Sequence, residues 1–99
     1  MSQKETQQSV TAWAEATFGA INDPKVLVDR VRIELDELND AVASGDTGDI
    51  GKETADVLIL LYRLLEIHGL DADQQVFDKM QENRARRWRA KGDGKGSHI

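Results

Sequence analysis

The stretch from Pro24 to Gly69, PKVLVDRVRIELDELNDAVASGDTGDIGKETADVLILLYRLLEIHG, decides the fold. Asp23 can cap a helix whose first turn holds Pro24, where a missing N–H costs nothing. Val28, Val31, Leu35, Leu38 and Val42 then recur by threes and fours, the spacing of a helix with one buried stripe, which predicts a helix to about Ser44. Gly45 stops it, and Gly45 to Gly48 reads as a turn. Asp49 can cap the next helix, which runs to His68 and is closed by Gly69. Between Val57 and Ile67 that helix is apolar on most sides, so it belongs at the centre of a bundle or at a subunit interface.

Working outward, Ser2 followed by Glu5 fits a capping box opening a helix to about Phe18, stopped by Gly19. Val10, Trp13, Ala14 and Thr17 share one of its faces. After Gly69, Asp71 or Asp73 begins a fourth helix to about Ala90, with Val76, Phe77, Met80 and Ala85 facing inward. Lys91 to Ile99 holds three glycines and reads as a flexible tail. No segment alternates with period two, so no sheet is expected. The fold class is all-α, a four-helix, bundle-like single domain spanning residues 1–99. A 99-residue helical chain buries a modest core, so completion by oligomerisation is expected.

The formal net charge of -5 argues against non-specific binding to a nucleic-acid backbone. Absence of cysteine excludes disulfides and thiolate metal sites. Met1 to Gln8 is polar and does not resemble a signal peptide, and Val57 to Leu61, the longest apolar run, is far too short to span a bilayer. A cytoplasmic protein with neither membrane nor nucleic-acid partner is the expectation.

The chemistry rests on two acidic pairs. Glu34 and Glu37 are three residues apart on the second helix, and Glu53 and Asp56 three apart on the third. That spacing puts each pair on one helical face. Helices joined by a short turn run antiparallel, which sets the pairs opposite one another. Four converging carboxylates repel unless a cation neutralises them, and an all-oxygen set suits magnesium, with manganese able to substitute. A single E-x-x-E is usually a solvated face; two pairs on adjoining helices, both bordering the apolar stripe, are a sharper signal. A di-iron bundle would need Glu-x-x-His pairs, and neither His68 nor His98 stands three residues after a glutamate.

Lys79, Asn83 and Arg86 or Arg87 share a face of the fourth helix. Lysine offers a point charge for phosphate, arginine a fork, and asparagine a reader of base or ribose. Trp88 adds a flat surface for stacking. The plain alternative is a solvated basic helix end favoured by the helix dipole. Trp13 and Phe18 pack in the core or line a base pocket. A basic run from Arg84 to Lys91 beside an acidic cluster suits a metal-bound polyphosphate.

Glu34-Leu-Asp-Glu37, fifteen intervening residues and Glu53-Thr-Ala-Asp56, followed by A-D-V-L-I-L-L and K-M-Q-E-N-R-A-R-R-W, resemble the MazG-like all-α nucleotide pyrophosphohydrolases. The opening W-A-E-A-T-F-G is similar to small phage and bacterial members. The resemblance implies magnesium held by Glu34, Glu37, Glu53 and Asp56, with hydrolysis of nucleoside triphosphates, commonly deoxy forms, to monophosphate and pyrophosphate. It also implies homodimers or homotetramers whose sites draw on more than one chain, with Lys79, Asn83 and an arginine between Arg84 and Arg87 touching phosphate or sugar. Ile33 and Lys52 stand where such proteins often double the acid, which implies fewer bound ions. Glu37 is the expected proton acceptor, and Glu53 completes the catalytic pair. Two rival readings are a non-catalytic helical oligomer and a small nucleic-acid-binding regulator built on Arg84 to Arg89.

Overall fold

A computed structural model describes residues 4–98. It is all-helical apart from a short terminal hairpin: α1 Gln7–Phe18, α2 Lys25–Ser44, α3 Thr47–Ile67, α4 Ala72–Ala85, β1 Trp88–Ala90 and β2 Gly96–His98. Helices α2 and α3 pack along one another, and α1 lies against α3. The expected helical-bundle class is thus what the chain adopts. Among the described residues no helix is long and apolar enough to cross a membrane.

Local chemistry sets the boundaries. Helix α1 starts at Thr6, whose hydroxyl accepts the Ser9 amide (3.0 Å) while the Ser9 hydroxyl accepts the Thr6 amide (2.7 Å). The expected Ser2 cap lies outside the described residues, and Thr6 takes its place. Pro24 stands at the N-cap of α2 and not in its first turn, and the Asp23 carboxylate, one residue further out, accepts the Lys25 amide at 3.0 Å. Gly45 ends α2 with φ of 75°, its N–H shared between the Ala41 and Val42 carbonyls. Asp46, not Asp49, caps α3: it accepts the Gly48 and Asp49 amides at 2.9 and 3.2 Å. Helix α3 therefore begins three residues earlier than expected, and only Gly45 and Asp46 separate it from α2. So short a link forces α3 back along α2.

The buried line of α2 differs from the expected stripe. Leu27, Glu34 and Ala41 are buried, and Val31 and Leu38 are half-buried. Val28, Leu35 and Val42 are 37%, 46% and 56% exposed and form a second, uncovered row. A carboxylate thus sits in the centre of the packed line.

Helix α4 departs furthest from expectation. Asp71 caps it, accepting the Gln74 amide at 3.0 Å, and buried Gln7 ties its start to α1 through the Ala72 amide (2.7 Å) and the Leu70 carbonyl (2.7 Å). Beyond that anchor it barely packs on the other helices, and it has no buried residue. Val76 and Phe77 do not face a core: they are 63% and 59% exposed. The helix ends at Ala85, five residues early, because the chain extends at Arg86 and the Trp88 indole N–H donates to the Asn83 carbonyl (2.7 Å). The expected flexible tail and absence of sheet give way to an antiparallel hairpin pairing Trp88 with His98 and Ala90 with Gly96. Gly96 permits it, since a Cβ there would meet the Arg89 carbonyl oxygen at 2.9 Å.

Candidate functional site

Glu34 and Glu37 on α2 and Glu53 on α3 bring one carboxylate oxygen each within 4.8 Å of one another. The helix pairing produces this directly. Residues three apart share a face of α2, and the tight Gly45–Asp46 link returns Glu53 to the same level from the facing helix. Glu34 is buried, Glu53 half-buried and Glu37 exposed, so the cluster opens to solvent on the Glu37 side.

Hydrogen bonding within the cluster is incomplete. Arg30 Nε and Nη2 donate to Glu34 Oε1 at 3.0 and 2.7 Å. Glu34 Oε2 and Glu53 Oε2 are buried and have no hydrogen-bond partner. A buried carboxylate oxygen left without a donor costs free energy, on the order of 1–3 kcal/mol or more for a charged group. Two such oxygens in one three-acid cluster are the electrostatic pattern a bound cation relieves. The donor set is all oxygen and fits a hard metal ion.

The same crowding governs Glu37. Proton sharing with Glu34, then the Glu34 negative charge, slight desolvation and Glu53 hold its carboxyl above the usual value of 4.5. A group so placed gains a proton readily.

Asp56 lies outside the mutual contacts of the three glutamates. It is exposed, and it lines an adjoining hollow of about 380 Å³ with Trp13, Phe18, Arg30 and Glu34. That volume lies within the range of small-molecule pockets. Trp13 and Phe18 meet edge to face at its rim, ring centroids 5.5 Å apart and planes at 88°. Both are largely exposed, at 58% and 69%, so neither is a core residue of this chain. The hollow therefore carries both aromatic rings and carboxylates in its wall.

Residues expected on the basic side lie elsewhere. Lys79 Nζ is 3.5 Å from Glu82 Oε2, and Arg86 Nη2 donates to Glu82 Oε1 at 2.6 Å. Asn83 Nδ2 donates weakly to the Met80 sulfur, and Asn83 Oδ1 is buried without a partner. Arg87 and Trp88 are exposed, and no α4 residue lines the acid hollow. Within one chain the two halves of the expected site are not brought together. Arg63, buried, donates to the Gly19 carbonyl at the end of α1 (3.3 Å) and plays no part in the cluster.

Arg30 was absent from the residues singled out in the sequence. Its signal was present: it stands four residues before Glu34, the spacing of an intrahelical ion pair.

Over 95 residues, 96% of this chain, the sequence is 32% identical to a dATP/dGTP diphosphohydrolase of Salmonella phage PMBT28. The chain spans 31% of the length of that protein. No family model and no solved structure matches the chain.

Proposed function

We propose that this chain hydrolyses deoxynucleoside triphosphates to the monophosphate and pyrophosphate, with magnesium held by Glu34, Glu37 and Glu53 and with Asp56 beside it in the adjoining hollow. The observation that carries this reading is the pair of buried, unpartnered oxygens, Glu34 Oε2 and Glu53 Oε2, on adjacent helices within a three-acid group. Similarity to a dATP/dGTP diphosphohydrolase supports the reaction class and favours purine deoxynucleotides among substrates.

Magnesium in that position supplies charge neutralisation for the triphosphate and for the departing pyrophosphate. The chain's own groups do the rest. Glu37, the open edge of the cluster, accepts the proton of the attacking water at a carboxylate oxygen. Its exposure leaves it open to the water it would deprotonate. Glu34 and Glu53 anchor the cation from the closed side. Trp13 offers a face on which a base stacks, in the same hollow that Glu34 and Asp56 line.

Lys79 and Asn83 from α4, with Arg86, Arg87 and Trp88 from the segment that follows it, then act from a neighbouring copy in a homodimer or homotetramer. Three observations support association. The accessible surface is 7712 Å², against about 5,600 Å² from the mass scaling of folded monomers at 11.0 kDa. The radius of gyration is 16.1 Å, whereas a compact chain of this length has about 13 Å. And Val76 and Phe77 stand exposed on α4, while Val10, Leu58 and Ile59 line an apolar groove elsewhere in the chain. An excess of about 2,000 Å² per chain is about 4,000 Å² for a pair of chains, in the range that obligate homodimer interfaces bury.

The same exposed apolar surface also favours a second reading, a non-catalytic helical oligomer. One experiment separates the two. The full chain is incubated with each canonical deoxynucleoside triphosphate and magnesium, and pyrophosphate is measured. Magnesium-dependent release that Glu53→Gln abolishes supports the enzyme; no release from any of them leaves the oligomeric module.

A further inference from the structure

Helix α2 carries a third residue tied to the acid cluster, beside Glu34 and Glu37. The Arg30–Glu34 pair has the ordinary i,i+4 spacing, but its geometry is not that of a surface pair. Ion pairs Arg32–Asp29, Lys79–Glu82, Arg86–Glu82 and Lys95–Asp93 all use carboxylates whose side chains are at least half exposed, whereas the Glu34 side chain is 8% exposed. The strongest arginine–carboxylate arrangement is a fork that engages both oxygens. Here Nε and Nη2 both donate to Oε1, and Oε2 is left buried and without a donor. Arg30 Nη1 has no hydrogen bond among the described residues, and the side chain, 55% exposed, borders the hollow with Asp56, Trp13 and Phe18.

We infer that Arg30 is a positioning residue for the cation site: by taking up Oε1 alone, it fixes the Glu34 rotamer and commits Oε2 to the ion shared with Glu37 and Glu53. This rests on the metal reading above and extends it to a residue outside the acid set. The physical reason lies in the helix. A glutamate in a packed line has its Cβ direction fixed, but χ2 and χ3 remain free to turn the carboxylate. Two donors on one oxygen remove that freedom, so the ordering entropy is met on folding and not on ion binding. Groups that hold a ligand carboxylate in this way change metal affinity by about 10- to 100-fold when removed.

The sign of the effect is diagnostic. An arginine acting only through its charge repels a cation, so its removal would tighten binding. A positioning arginine gives the opposite result.

Mn²⁺ affinity of the full, nucleotide-free chain is measured by isothermal titration and by electron paramagnetic resonance for the wild type, Arg30→Ala and Arg30→Lys. Melting without metal checks each fold. The expected result is Mn²⁺ binding about 10- to 100-fold weaker in Arg30→Ala, with only partial recovery in Arg30→Lys, whose single ammonium cannot place two donors on one oxygen. Should Arg30→Ala fail to fold, Arg30→Lys alone decides, by weaker binding at unchanged melting temperature. Equal or tighter binding in the folded variants overturns the role of Arg30 while leaving the metal site standing, as does a lower melting temperature with unchanged affinity. A wild type that binds no Mn²⁺ overturns both.

Discussion

Replacing Glu53 by glutamine ought to make the metal-free protein more stable and its magnesium response vanish. Glu34 and Glu53 face one another with carboxylate oxygens no more than 4.8 Å apart. Two unit charges at that separation repel by about 3 kcal/mol at an effective dielectric near 20, reduced to roughly 1–2 kcal/mol by solvent at a half-open site. Glutamine removes the repulsion, and its amide can donate to Glu34 Oε2, which otherwise lacks a partner. For a domain near 100 residues each kcal/mol moves the melting temperature by about 4–8 °C, so a rise of roughly 5–15 °C is expected. In the wild type, magnesium at about 100 times its Kd contributes about 2.7 kcal/mol, and the melting temperature climbs by roughly 10–20 °C. The assay is thermal melting of both proteins in EDTA and in excess magnesium. A Glu53→Gln protein that melts lower than wild type in EDTA, or keeps the full magnesium shift, would refute the reasoning.

Three further outcomes follow from the same geometry. Glu37 has a folded-state pKa above its unfolded value, so between 4.5 and the raised value the folded state holds the extra proton. Melting temperature in EDTA should therefore rise as pH falls from neutral towards 4.5, and in saturating magnesium it should fall, because protons then compete with the ion; a drop in both media contradicts the cluster electrostatics. Phe77→Ser, at a side chain 59% exposed in the single chain, should weaken self-association, since burying phenylalanine stabilises by about 1.5–3 kcal/mol per copy; unchanged mass by light scattering through dilution would show that the α4 face is not the interface. Chains carrying Glu53→Gln and chains carrying Lys79→Ala, each inactive alone, should regain part of the activity when unfolded and refolded together, whereas a site confined to one chain regains none.

Much of this architecture was legible in the residues, and the misses have physical causes. Gly45, Gly69 and Asp71 mark their boundaries because positive φ and side-chain capping are local properties. Asp46 and Asp49 compete for one helix start, and Asp46 wins because its carboxylate reaches two amides and shortens the turn. Periodicity of large apolar residues favoured Val28, Leu35 and Val42, whereas the packed line uses Leu27, Glu34 and Ala41, two of which hydropathy undervalues. That slip of one position hid the burial of Glu34, the most informative feature of the site.

On α4, Val76 and Phe77 were expected inward because their type is apolar; a single chain gives them nothing to pack on. The run from Arg84 to Arg89 consists of good helix formers, yet like charges crowd there and the Trp88 indole N–H takes up a carbonyl at the helix end. The hairpin signal lay in G-D-G-K-G, where Gly92 and Gly94 adopt φ of 85° and 86°. Of the four acids that the doubled three-residue spacing sets together, Glu34, Glu37 and Glu53 converge and Asp56 stands apart; the i,i+4 spacing of Arg30 and Glu34 is visible in the residues, but its weight depends on the burial of Glu34.

The most direct test is a crystal of the full chain grown with Mn²⁺ and examined for anomalous scattering. The account predicts a peak bounded by Glu34 Oε2, Glu37 and Glu53, with Arg30 still on Glu34 Oε1. Crystals with full manganese occupancy elsewhere and no anomalous signal among these three carboxylates would contradict it.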